Sequence, residues 1–193
     1  MVLRLTGIKV RAGRANSLQP PDPSGGPLKP TVLTHVPSAN LQRLSASDSD
    51  VLIDNARLLQ RAAEPRQTLL RGKKLALLCE SEEDADAVLF REAASELGAH
   101  VSHIRPGLSN LRQPDDLQHT ARMLGRLYDG IECQGLAHEL VELVGREAGV
   151  PVYDGLASER HPTAHLAALL DDAAPPGKSR QLVLQTVLLS TLA

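Results

Sequence analysis

Aromatic side chains are almost missing from this chain: Trp is absent, and Phe and Tyr leave an aromatic share of 2%. That excludes a stacking platform for unpaired bases, and the core has to be assembled from Leu, Val, Ile and Ala. A surplus of positive charge is lacking as well. The 21 Lys and Arg against 23 Asp and Glu give a formal charge of −2, so no sequence-independent pull toward nucleic acid is expected. Cysteine occurs only at Cys79 and Cys133, too few for a disulfide scaffold and in keeping with a reducing compartment. No apolar run approaches the roughly 18 residues of a membrane span. The opening stretch, charged at Arg4 and Lys9, does not reach a secretory apolar region. These absences predict a cytoplasmic protein without nucleic-acid or membrane partners.

The 193 residues suffice for one well-buried domain and fall short of two full-sized ones. Residues 1–40 read as a Pro/Gly-rich arm. Short extended pieces at 2–6 and 8–10 lead into Gln19-Pro20-Pro21-Asp22-Pro23-Ser24-Gly25-Gly26-Pro27, which can be neither helix nor central strand. From about residue 45 the pattern turns globular. Ser47 to Asp50 offer a cap and an acidic first turn for a helix to about Ala63. Lys74 to Cys79, His100 to Ile104, Gly130 to Gln134 and Val150 to Tyr153 read as strands. Helices are expected over about 84–97, 115–128, 136–148 and 162–170, with Gly98 and Gly149 as stops. Leu117, Ala121, Leu124 and Tyr128 form one apolar stripe, and Arg180 to Leu192 is a strongly apolar final helix. Strands alternating with helices of this length predict an α/β, three-layer domain with a mostly parallel four-stranded sheet over 41–193.

Several motifs lie in collinear order. Leu70-Arg71-Gly72-Lys73 leads into the first strand. His119-Thr120-Ala121-Arg122-Met123-Leu124-Gly125-Arg126 precedes Asp129-Gly130-Ile131. Val150-Pro151-Val152-Tyr153-Asp154-Gly155-Leu156 is followed by His161-Pro162-Thr163-Ala164-His165-Leu166-Ala167. Together they resemble the carbamoyl-phosphate (N-terminal) domain of the aspartate and ornithine carbamoyltransferases. The resemblance implies that domain's fold, and it implies a homo-oligomer, specifically a trimer. Arg180 to Leu192, and the span 178–193 as a whole, resemble the returning C-terminal helix of those enzymes. Only a short Asp/Ala/Pro stretch lies where the family holds its amino-acid-binding domain.

Transcarbamylation needs a pocket of cations, hydroxyls and helix N-terminal donors for a phosphate dianion. The family's Ser-Thr-Arg-Thr-Arg turn is replaced here by Glu83-Asp84-Ala85-Asp86-Ala87, beside Glu80 and Glu82. The Arg that the family carries after the third strand is Gln134, and the Gln of its His-Pro-x-Gln motif is Ala164. Only His161 is retained. Two unit charges about 4 Å apart interact by about 4 kcal/mol at an effective dielectric of 20, so this sign reversal disables phosphate binding. No functional catalytic residue is expected.

The leading expectation is therefore a catalytically inactive relative that acts as an oligomeric interaction or regulatory module, with a protein partner possible. A second is a binder or enzyme for a cationic or amino-acid-like molecule, using a repurposed pocket of Glu83, Asp84, Asp86, Gln134, His161 and Ala164. A third is residual carbamoyl transfer with a second domain borrowed from another chain. Blander readings accompany each feature. The acidic run fits a solvated helix start. His161 and His165 have the spacing of a zinc pair but lack a third ligand nearby, so no metal and no cofactor are expected. Cys79 and Cys133 read as small buried thiols.

Overall fold

The computed structural model describes residues 3–5, 8–11, 31–61, 66–106, 114–170 and 176–192. The Pro/Gly-rich stretch 19–27 lies outside them. Strands β1 (Leu3–Leu5), β2 (Ile8–Arg11) and β3 (Thr31–Thr34) form a small sheet ordered β1-β2-β3. β3 was not foreseen from the sequence. Leu33 and Val36, inside the span read as an arm, are already buried in the main core.

That core is built on β4 (Lys74–Leu78), β5 (His100–Ile104), β6 (Gly130–Cys133) and β7 (Val152–Asp154), ordered β5-β4-β6-β7. All neighbours are parallel, so the sheet is fully parallel, with its switch point between β4 and β6. Such a sheet is covered on both faces. In β4, Leu75 and Leu77 join one apolar cluster and Ala76 and Leu78 the other, as the two-residue side-chain period requires. On one side pack α1 (Ala46–Arg61), α2 (Ala85–Glu96) and α5 (Pro176–Leu192); on the other, α3 (Pro114–Leu127) and α4 (His138–Ala148). α3 meets α4 so closely that a Cβ on Gly125 would collide with the Ala148 carbonyl. Gly149 closes α4 in the left-handed region at φ 69°, where a Cβ would be strained.

Three local expectations are corrected. α1 is capped by Ser45 rather than by Ser47 to Asp50. The Asp48 N–H donates to Ser45 Oγ at 3.1 Å, and Ser45 Oγ–H donates to the Asp48 carboxylate at 2.7 Å. This is a capping box closed by a short acid. The helix expected after Pro162 is only a 3-10 turn, Ala164–Leu169. The final helix starts at Pro176 rather than Arg180, with Pro at its first position, where no N–H is missed.

α5 is buried on every side from Gln181 to Leu192, so apolar packing alone does little to fix its rotation or register. Polar ties supply that information. Gln185 donates to Glu96 at 2.8 Å and accepts from Arg66 at 3.0 Å. Ser190 Oγ accepts from Asn55 at 3.1 Å, and its carbonyl accepts the Val36 N–H. Thr191 donates to the Val187 carbonyl, so Tyr153 donates its hydroxyl to Thr191 at 2.6 Å. Arg180 makes the fourth tie, at the strand-end site.

Candidate functional site

Open parallel sheets bind ligands beyond the carboxyl ends of the strands, at the switch point. Here that region collects the turn from β4 into α2, the end of β6, the loop after β7 and the first turns of α5. The acidic turn projects outward, with Glu83, Asp84 and Ala85 all exposed. Ala87 is 0% exposed and packs into the core beside Phe90. Gln134 donates its amide to Asp86 Oδ2 at 3.0 Å. Asp86, from the turn at the family's phosphate position, and Gln134, at its Arg position after the third strand, therefore close on each other. Glu82 is engaged by Arg91 at 3.4 Å.

Behind this turn lies a buried polar node. Glu132 is fully buried; its Oε1 accepts the Leu156 N–H at 2.9 Å, and its Oε2 has no partner among the described residues. Burial raises its carboxyl well above the ordinary range; the Leu156 N–H opposes this, and the charges of Asp154 and Asp86 reinforce it. Arg180 reaches in from α5 and donates to the carbonyls of Leu156 and Ser158 and, at 3.2 Å, to Thr163 Oγ1. The backbone of Leu156 is thus held on both sides, by Glu132 at its N–H and by Arg180 at its carbonyl.

His161 hangs from the loop so fixed. The Thr163 N–H donates to its Nδ1 at 3.2 Å. Thr163 Oγ1 accepts from Arg180, so its own hydrogen is free to donate to Nδ1 at 2.9 Å. Nδ1 is therefore the accepting nitrogen and Nε2 carries the proton. His161 is 5% exposed, and its Nε2 has no partner among the described residues. Burial, helped by the Arg180 charge, lowers its pKa to about 4, so the ring is neutral near pH 7.

Among the described residues, the buried side-chain atoms without a partner are Glu132 Oε2, Gln134 Oε1, His161 Nε2 and Arg180 Nε. All belong to this one region, a concentration that folding alone does not call for. The structure thus brings Asp86, Gln134 and His161 of the expected pocket into the region, together with half-buried Ala164. Glu83 and Asp84 stand at its exposed edge. Sequence reading missed Glu132 and Arg180, although each carried a signal: a lone acid inside a buried strand, and the lone charge in the apolar run Arg180 to Leu192. His161 and His165 do not share a helix. His165 Nδ1 instead pairs with the Pro162 carbonyl at 2.6 Å. Cys79 and Cys133 are buried in opposite core clusters, and burial raises both thiols.

Comparison with known proteins places this geometry. The relatives it matches include the ornithine carbamoyltransferase of Cutibacterium acnes, 43% identical over 104 residues, 54% of this chain and 31% of that protein. That of Haemophilus influenzae strain PittGG is 41% identical over 121 residues, 62% of this chain and 36% of its own length. The chain thus spans about a third of these curated relatives. Among solved structures, ornithine carbamoyltransferase from Pyrococcus furiosus superposes with a TM-score of 0.56 at 30% identity, covering 67% of this chain and 42% of that one. The Thermus thermophilus enzyme gives 0.54 at 31% identity, over 65% and 44%. The profile of the aspartate/ornithine carbamoyltransferase carbamoyl-P binding domain matches residues 38–171, a span holding the acidic turn, Glu132, Gln134 and His161. With sheet, strand-end loop and sequence in agreement, the chain belongs to the aspartate/ornithine carbamoyltransferase family through its carbamoyl-phosphate-binding domain.

Proposed function

We propose that this chain is a non-catalytic carbamoyltransferase-like domain that works as an oligomeric interaction or regulatory module. The observation that carries the reading is the Asp86–Gln134 hydrogen bond across the strand ends, at the acidic turn where a phosphate would need cations. Residues 170–175 are all that separate the Ala164–Leu169 turn from α5, so no acceptor-binding domain intervenes there. α5 packs between α1 and α2 instead. The described residues also leave Met123 at 46% and Leu127 at 56% exposed along α3, apolar surface suited to self-association. A trimer is the assembly that family resemblance favours.

The test pairs sedimentation velocity with an assay for carbamoyl transfer from carbamoyl phosphate to ornithine and aspartate. The expected outcome is a defined homo-oligomer without transfer. A monomer at all concentrations that also binds no partner, or measurable transfer by the isolated chain, overturns the reading.

A second reading is supported by the four partnerless atoms. Two N–H donors, on His161 and Arg180, and two oxygens, on Glu132 and Gln134, complement a small ligand bearing both a carbonyl and an amine or amide. The carboxylates of Asp86 and Asp154 near them favour a cationic one. A thermal-shift series of amino acids, amides and amines tests this, and a flat response sinks it.

A further inference from the structure

We propose that the cleft between the 3-10 turn Ser38–Arg43, the β7 edge and α4, which adjoins the strand-end region at Asp154 and His161, is a second binding site, for a small monocarboxylate with an apolar body. The cleft holds about 520 Å³, within the range of roughly 300–1,000 Å³ of small-molecule pockets. Leu41, Val141, Val152 and Tyr153 give it an apolar lining, and Tyr153 spends its hydroxyl on Thr191. The charges around the cleft are unequal in what they lack. Its carboxylates are answered from within: His138 Nδ1 stands 3.0 Å from Asp154 Oδ2 and His138 Nε2 3.6 Å from Glu142 Oε1, while Arg146 lies 3.8 Å from Glu142 Oε2. Arg43, exposed in the same lining, has no carboxylate within ion-pair distance among the described residues. His161, which also lines the cleft, holds a buried N–H without an acceptor.

The unmet group at the surface of the cleft is therefore a cation, and an anion with apolar bulk answers it while covering the aliphatic lining; the His161 N–H lies buried beneath that surface. A cationic molecule is repelled by Arg43, and a neutral carbonyl can accept a hydrogen bond but leaves the charge unanswered. Arg43 sits in a turn anchored on the sheet, since Gln42 donates to the Asp154 carbonyl at 3.2 Å and Leu41 is buried. The backbone that carries the cation is thus fixed by packed structure, while its side chain is exposed.

The experiment is a calorimetric titration of the full chain with hexanoate, with hexanamide as the uncharged isostere. Hexanoate is expected to bind saturably, and hexanamide and the Arg43→Gln variant to bind about tenfold or more weakly, the loss of one charge-assisted contact. Arg43 is exposed, so that variant folds, which circular dichroism checks. The double variant Glu83→Gln, Asp84→Asn is expected to bind hexanoate unchanged. No saturable binding at millimolar hexanoate, equal binding of hexanamide, or undiminished binding by Arg43→Gln overturns the proposal. So does loss of binding in the Glu83/Asp84 variant, which would move the ligand to the strand-end region.

Discussion

The polar groups at the carboxyl ends of β4, β6 and β7 fall into two sets with different surroundings. Glu83 and Asp84 stand in water at the start of α2, and few tertiary contacts depend on them. Glu132, His161, Thr163 and Arg180 lie behind them, buried or nearly so, and bonded to one another through the Leu156–Thr163 loop. Changing an exposed group at a helix start costs little stability, because water replaces whatever is removed. Changing a buried, bonded group strands its partners. A ligand site made of both kinds can lose its ligand chemistry while its architecture remains under the constraint of folding. Under the function proposed above, this site is in that state: the turn at the start of α2 is acidic, and the buried set behind it is bonded together.

The comparison is broken most sharply at Arg180. Arg180→Met removes donors from the Leu156 and Ser158 carbonyls and from Thr163, and a destabilisation of about 4 kcal/mol in urea unfolding is expected from the polar groups left unpaired. A loss below about 1 kcal/mol would show that the buried set is no more constrained than the exposed one.

His161 comes next. Its folded pKa of about 4 lies below the ordinary 6.5, so between those values the unfolded ring takes up a proton that the folded ring refuses. Its contribution is full above about pH 6.5 and is lost as pH falls toward 4, by roughly 3 kcal/mol. His161→Gln should remove that part of the acid slope, read as the difference between the two proteins' urea stabilities across the window. Glu132 supplies an effect of opposite sign. Its raised folded pKa means the folded state holds a proton that the unfolded one gives up, so stability falls as pH rises from the ordinary carboxylate range toward that pKa. Glu132→Gln keeps an acceptor for Leu156 and should gain on the wild type as pH increases. The smallest effect belongs to the exposed set: Glu83→Gln with Asp84→Asn should change stability by no more than about 0.5 kcal/mol.

Much of this was legible in the sequence because it rests on local signals. Short apolar runs ended by glycine or turn residues marked β4 to β6 within a residue or so, and their alternation with helices gave the parallel sheet. The acidic turn was legible too, since sign reversal needs no coordinates. Less legible were features settled by distant contacts. Pro162 suits a helix start, yet Ala164–Leu169 winds only as 3-10, its loop being clamped by Arg180 and Glu132 from other elements. α1 takes Ser45 as its cap because Asp48 closes the box from three residues on, a choice that composition leaves open among several Ser and Asp. The node itself joins elements through bonds spanning 17 to 24 positions, beyond any periodic pattern, and only the oddity of one acid in a buried strand and one cation at the head of the apolar run Arg180 to Leu192 hinted at it.

The most direct test of the central claim is an isothermal titration of the chain with carbamoyl phosphate up to millimolar concentration. The acidic turn and the Asp86–Gln134 closure predict no saturable heat. A saturable isotherm with a micromolar constant would contradict the account, showing that the exposed half of the site still binds what its sequence has turned against.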